Sequence, residues 1–145
     1  MYHAGAVEVF NHRDPNYIEE IQAKYPQGFD LCIEMLASTN LGIDLTLMSP
    51  NGRVVCVGSR GPVSINPRDI MSKELQISGV MLFASSPADL HRSSSFVDTL
   101  LRNGQLNPIV SLVLPLENAA EAHLEVIRRK RITVGNIVLL PSQES

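Results

Sequence analysis

The chain is poor in residues that several classes of protein require. Its 145 residues include no tryptophan, two cysteines and 5% aromatic residues. No apolar stretch approaches the roughly 20 residues of a membrane-spanning helix, and the first ten residues lack the basic start and long apolar core of a signal peptide. These absences argue against a membrane protein and a disulfide-stabilised secreted domain, so we expect a reducing, cytoplasmic location.

Motifs for metal binding and for nucleophilic catalysis are also missing. Cys32 and Cys56 stand 24 residues apart, each within an apolar run, and the four histidines are scattered, which fits no zinc motif. The serines at 93–95 have no G-x-S-x-G pattern around them. The sequence therefore predicts no metal site and no serine nucleophile, and both thiols are expected to pack as small hydrophobic groups.

The charge balance disfavours nucleic acid as a partner. The formal net charge of −3 gives no overall basic field, and the one dense basic run is Arg128-Arg129-Lys130-Arg131. A basic run at a helix end is typical of a solvated terminus that complements the helix dipole. The alternatives are a contact with a cofactor phosphate and a patch for RNA.

Strands and helices are expected to alternate along the whole chain. Near-continuous apolar runs at 30–36, 53–57 and 76–83 are typical of parallel strands covered on both faces. This alternation predicts an α/β fold with an open parallel sheet. The remaining predicted strands are 7–11, 109–114 and 137–140; the predicted helices are 14–25, a helix capped by Asn40 that reaches Met48, 66–73, 89–103 and 116–129, with turns at 26–28 and 49–52.

Ligands of open parallel sheets bind beyond the carboxyl ends of the strands. Three such ends carry candidate residues, at 34–36, 58–61 and 81–84. Gly58 and Gly61 would allow close approach to a ligand, and Arg60 offers a charge to a phosphate. The same four residues also fit a plain tight turn. Neither G-x-G-x-x-G nor G-x-x-x-x-G-K-[ST] is present, so the usual pyrophosphate cradles are missing.

Several segments resemble the zeta-crystallin type of quinone oxidoreductase, within the medium-chain dehydrogenase/reductase superfamily. They are GAVEVFNHRDPNYIEEI at 5–21, DLCIEMLASTNLGIDLTLMSPNGRVVCVGSRGPVSINPRDIMSKELQISGVMLF at 30–83 and LPLENAAEAHLEVI at 114–127. The resemblance implies a zinc-free, NADPH-dependent reductase of quinones or related electrophilic carbonyl compounds. It also implies that residues 1–107 form a partial Rossmann domain without its first two strands, and that 108–145 return to the catalytic domain as strand, helix and strand.

The resemblance assigns cofactor contacts residue by residue. His12 would meet the adenosine end, and Arg131 would lie near a cofactor phosphate. No catalytic acid or base is implied. The remaining expected contacts are Glu34, Met35 and Leu36 beside the nicotinamide ribose, Gly58, Ser59 and Arg60 along the cofactor, and Met81, Leu82 and Phe83 past the nicotinamide.

Three functions stay open at this point. The first is a truncated NADPH:quinone reductase that binds NADPH weakly or not at all alone, because the glycine-rich turn is missing. The second is a non-catalytic interaction module that forms homo-oligomers through the strand edge at 75–83. The third is an RNA binder that uses Arg128 to Arg131, which rests on one charge cluster in an acidic chain.

Overall fold

A computed structural model describes residues 2–128 and 134–141 of the chain. The chain divides into two compact units: Phe10–Ser86, termed here the sheet unit, and Met1–Val9 together with Pro87–Ser145, termed the second unit. None of the helices within the described ranges is long and apolar enough to cross a membrane.

The sheet unit contains a three-stranded parallel sheet in the order β1-β2-β3. Parallel strands need a crossover between them, and the helices that alternate with the strands supply it. The elements are α1 (Tyr17–Lys24), β1 (Phe29–Glu34), α2 (Ala37–Leu47), β2 (Met48–Cys56), α3 (Pro67–Met71) and β3 (Gln76–Gly79), followed by a 3-10 turn at Leu82–Ala84.

The core of the sheet unit lies between α2 and one face of the sheet. Leu45 of α2 and Val54 of β2 are fully buried, and Cys32 and Cys56 are half-buried against the same cluster. The Lys73 ammonium donates to the carbonyl oxygens of Leu45, Thr46 and Met48, at 3.3, 2.8 and 2.7 Å. A cation at these carbonyls, where α2 runs into β2, complements the negative end of the helix dipole.

The second unit contains the long helix α4 (Pro87–Arg102) and a strand-helix-strand motif of β4 (Val110–Pro115), α5 (Ala119–Arg128) and β5 (Asn136–Leu140). The strands β4 and β5 pair in parallel. After α4, Gly104 has a φ of 68°, which glycine adopts readily and which ends the helix. The predicted helix, strand, helix and strand of this part of the sequence are thus confirmed.

Five local predictions are wrong. Residues 7–11 form no strand, since no described strand offers them a ladder partner. The third predicted strand of the sheet stops at Gly79 instead of Phe83, because the chain turns at Leu82–Ala84.

The other three concern helix ends and turns. The predicted turn at 49–52 lies inside β2. The register of the pairing between β1 and β2 shifts there, and Asn51 has a φ of 62°. Asn40 lies inside α2, which begins at Ala37, and is not its cap. The side-chain amide of Asn40 bonds to the Glu34 carboxylate. His123 falls on the apolar face of the last predicted helix, which predicts a packed side chain; it is exposed, because α5 buries Ala122 and Glu125 instead.

Candidate functional site

Three loops leave the parallel sheet at one edge, termed here the loop edge: residues 34–36 after β1, 57–61 after β2 and 80–83 after β3. Because all three strands run in the same direction, their carboxyl ends meet there. The amide of Val80 still bonds to the carbonyl of Cys56 at 2.9 Å, which keeps the third loop beside the second. This is the arrangement that the sequence predicts.

Backbone hydrogen bonds join the first two loops to each other. The Val57 amide donates to the Glu34 carbonyl and the Ala37 amide donates to the Gly58 carbonyl, each at 2.8 Å. The Arg60 amide donates to Ser38 Oγ at 3.2 Å. The start of α2 and the loop after β2 are therefore one hydrogen-bonded assembly.

Gly58 is required by close packing. A Cβ at this position would lie 2.3 Å from the Met35 carbonyl oxygen, a distance that no side chain can occupy. A Cβ at Gly61 would meet nothing within 4 Å. Ser59 Oγ donates to the Gly61 carbonyl at 3.0 Å, and both Ser59 and Arg60 are exposed. The chain thus bends at Arg60 and Gly61, and the charge of Arg60 faces solvent.

Glu34 is a buried acid at the end of β1. Its side chain is only 6% exposed, and its carboxylate accepts hydrogen bonds from the Leu36 amide and from Asn40 Nδ2, the latter at 3.2 and 3.4 Å. Burial of a carboxylate is tolerated when its oxygens are hydrogen-bonded. The carboxylate therefore fixes the path of the chain from β1 into α2.

Asp44 lies one helical turn beyond Asn40 and meets Glu34 and Cys32. The sulfur of Cys32 and one carboxyl oxygen each of Glu34 and Asp44 all lie within 4.8 Å of one another. Burial, then hydrogen bonding to Glu34 and its negative charge, raise the pKa of Asp44 to about 7. Burial, followed by the charges of Asp44 and Glu34, raises the pKa of the Cys32 thiol to about 11; burial also raises the pKa of Cys56.

A cavity of about 580 Å³ lies between α1 and α2, and we call it the α1–α2 cavity. Its lining is mainly apolar. His12 and Leu36, two of the predicted cofactor contacts, line it together with Asp44. The remaining lining residues are Tyr17, Ile18, Ile21, Thr39, Asn40, Ile43 and Leu47.

The third loop presents apolar side chains to solvent. Met81 is 67% exposed, Leu82 59% and Phe83 97%. Exposed apolar groups of this size, clustered at one place, are typical of surfaces that meet a ligand or a partner.

The structure brings most of the predicted site residues together. The predicted residues of all three loops lie at the loop edge, and His12 shares the α1–α2 cavity with Leu36. Arg131, and with it most of the basic run, lies outside the described residues. Asp44 was missed by the sequence analysis. Its i, i+4 spacing from Asn40 was available as a signal, but only the fold places both beside Glu34.

The order of elements and the parallel pairing define the class of the sheet unit, an α/β fold with an open parallel sheet. The family model of zinc-binding dehydrogenases matches residues 4–139, and the chain therefore belongs to that family. It is 45% identical over 137 residues to the quinone oxidoreductase of Sus scrofa and 46% identical over 138 residues to that of Homo sapiens. The resemblance stated from the sequence is confirmed. Each alignment covers 94% of this chain, and the chain spans 41% of each relative.

Solved structures agree on the fold. The crystal structure of AibC superimposes with a TM-score of 0.78 at 31% identity, over 98% of this chain and 38% of AibC. CurA from Vibrio vulnificus in complex with NADPH gives a TM-score of 0.72 at 18% identity, over 97% of this chain and 44% of CurA. The predicted α/β fold, a part of a Rossmann-type domain, is confirmed.

Proposed function

We propose that the chain acts as part of an NADPH-dependent reductase of quinones or related electrophilic carbonyl compounds. The observation that carries this proposal is the identity of 45–46% to mammalian quinone oxidoreductases along 94% of the chain. The parallel sheet adds physical support, because ligands of such folds bind at the carboxyl ends of the strands. The cytoplasm is the proposed location.

The residues at the loop edge have the chemistry that a nicotinamide cofactor needs. NADPH, when bound, supplies the hydride, and the protein positions it and excludes water. Gly61 leaves open space where a side chain would stand, Arg60 offers a cation for a phosphate, and Phe83 with its neighbours offers an apolar wall. The buried Glu34 holds the loop that precedes α2.

We assign the cofactor contacts as the resemblance implies them. His12 is placed at the adenosine end and Arg131 at a cofactor phosphate. Glu34, Met35 and Leu36 are assigned to the nicotinamide ribose, Gly58, Ser59 and Arg60 to the cofactor after β2, and Met81, Leu82 and Phe83 to the nicotinamide. We further assign residues 1–107 to the cofactor domain and 108–145 to a segment of the catalytic domain.

A chimera tests this function, because the chain has no glycine-rich pyrophosphate turn of its own. Residues 4–139 replace the matching segment of the Sus scrofa quinone oxidoreductase, and NADPH oxidation is followed with a quinone. We expect turnover. Arg60→Ala in this chimera should raise the KM for NADPH about 10-fold, since a hydrogen bond to a charged group contributes about 1.5 kcal/mol or more.

Arg68→Ala is the matched control, because Arg68 is an exposed arginine of α3 and is not one of the residues of the loop edge. It should leave the KM for NADPH unchanged. A chimera that folds, as judged by circular dichroism, but shows no turnover would contradict the proposed function. Equal effects of the two arginine substitutions would contradict only the role of Arg60.

We also propose self-association through β3, the alternative function as an interaction module. In the described sheet, β3 is an edge strand with unpaired backbone groups on one side, and the exposed Val80, Met81 and Phe83 follow it. A second copy is the proposed occupant, because its own β3 offers the same unpaired groups and the same apolar residues. Two such edges can pair and bury both sets of side chains.

Light scattering at micromolar concentration tests this association. The wild-type chain should have the mass of a dimer, and Phe83→Lys should shift it to a monomer, since a charge at an exposed edge opposes pairing. Met71→Lys, which changes another exposed residue of the sheet unit, is the control and should stay dimeric. A monomeric wild type would remove this proposal and leave the reductase proposal intact.

A further inference from the structure

We propose that Asp44 is a positioning residue, which in its protonated form donates a hydrogen bond to Glu34 and so holds α2 against the end of β1. When Asp44 loses this proton, the junction between β1 and α2 loosens. The proposal concerns the sheet unit itself and does not depend on the reductase function.

The first argument is the missing partner of one carboxyl oxygen. Asp44 Oδ2 has no exposed surface and no hydrogen-bond partner within the described residues. An unpartnered, buried oxygen is far more costly on a carboxylate than on a neutral carboxylic acid. The native arrangement around Asp44 is therefore one that a neutral side chain stabilises.

The second argument is the chemistry of the surrounding groups. One carboxyl oxygen of Glu34, one of Asp44 and the sulfur of Cys32 all lie within 4.8 Å of one another. If both carboxyls were ionised, they would repel each other at short range, and one shared proton removes that repulsion. The titratable groups around Asp44 are Cys32 and Glu34 on β1, Cys56 on β2, and His12 and Tyr17, which line the α1–α2 cavity with it.

The third argument is what Glu34 holds in place. Its carboxylate accepts from the Leu36 amide and from Asn40 Nδ2, so both the chain leading into α2 and the second turn of α2 depend on where it points. A protonated Asp44 adds a third donor to the same carboxylate. An ionised Asp44 repels the Glu34 carboxylate and so weakens its bonds to these donors. The consequence of deprotonation is thus local to the start of α2.

The direction of the pH effect follows from the raised pKa of Asp44. A carboxyl that titrates at about 7 in the folded chain and at 3.8 as a free side chain binds a proton more tightly when folded. Its contribution to stability is therefore complete below about pH 4 and is lost as the pH rises through about 7. Because the side chain is only half-buried, solvent screening reduces the size of this effect.

The experiment is urea unfolding of the full chain at about pH 5 and about pH 8, with a chelator present so that no metal ion replaces the proton. The unfolding constant of the wild type should rise about 10-fold or more between the two values. Asp44→Asn should remove this part of the rise, because its amide donates to Glu34 at every pH. At about pH 8 this variant should be more stable than the wild type.

Glu19→Gln is the matched control, since it neutralises an exposed acid of α1 in the same unit. It should keep the pH dependence of the wild type. If Asp44→Asn does not fold, Glu34→Gln serves as a second variant, and infrared spectroscopy of the wild type serves as a second measurement. A carboxylic acid band that disappears between about pH 6 and 8 is expected.

Two outcomes would overturn the proposal. One is an infrared spectrum of the wild type that shows, at about pH 5, no carboxylic acid band of the kind that disappears near neutral pH. The other is an Asp44→Asn variant whose unfolding changes with pH as much as that of the Glu19→Gln control. If Asp44 had a purely structural role, Asp44→Asn would lower the free energy of unfolding equally at both pH values. It would then not flatten the dependence of that free energy on pH.

Discussion

Replacing Gly58 with alanine should destabilise the chain by about 3 kcal/mol, near the upper end of what overpacking costs. The added Cβ would lie 2.3 Å from the Met35 carbonyl oxygen, which is backbone and has no rotamer to escape into. Relief requires the two loops to separate, which breaks the bonds between Ala37 and Gly58 and between Val57 and Glu34. Urea unfolding followed by circular dichroism measures the loss.

Gly61→Ala is a matched control in the same loop. Its Cβ would meet no atom within 4 Å, and its φ lies outside the left-handed region. We expect a change of at most about 0.5 kcal/mol, with a slight gain possible because alanine restricts the unfolded chain. Equal effects at the two glycines would show that the contact with Met35 is not the cause.

Leu45→Ala should cost about 2–5 kcal/mol, the range measured for large-to-small changes in protein cores. Leu45 is fully buried at the centre of the cluster between α2 and the sheet. Few other buried side chains are present in this unit to fill the space that the substitution leaves. The midpoint of urea unfolding should fall accordingly, with the slope unchanged.

Ile43→Ala, on the same helix, separates burial from helix propensity. Ile43 is 38% exposed and lines the α1–α2 cavity, so its removal loses less packing. We expect a cost below about 1 kcal/mol. A cost equal to that of Leu45→Ala would mean that the core extends across the cavity.

The sequence was informative where a local pattern determines a structure. The apolar runs at 30–36 and 53–57 were strands, Asn66-Pro67 started α3 with the Asn66 side chain as its cap, and Gly104 ended α4. Each of these depends on residues that are neighbours in sequence. The carboxyl ends of parallel strands then had to share an edge, so the loop edge was predictable as well.

The errors arose where distant residues decide the outcome. A strand at 7–11 requires a neighbouring strand, and none of the strands in the described ranges pairs with it. The packing predicted for His123 was wrong, because the contacts of α5 bury Ala122 and Glu125 and leave His123 exposed. The pairing of Glu34 with Asp44 depends on α2 lying across β1, which no local pattern specifies.

The bonds that join the start of α2 to the loop after β2 have a consequence for hydrogen exchange. The amides of Ala37 and Arg60 are 23 residues apart in sequence, yet each bonds to the other's segment, through the Gly58 carbonyl and Ser38 Oγ. Separation of these two segments frees both amides at once. Their exchange rates should therefore rise and fall together across temperature, as one opening event observed from both sides.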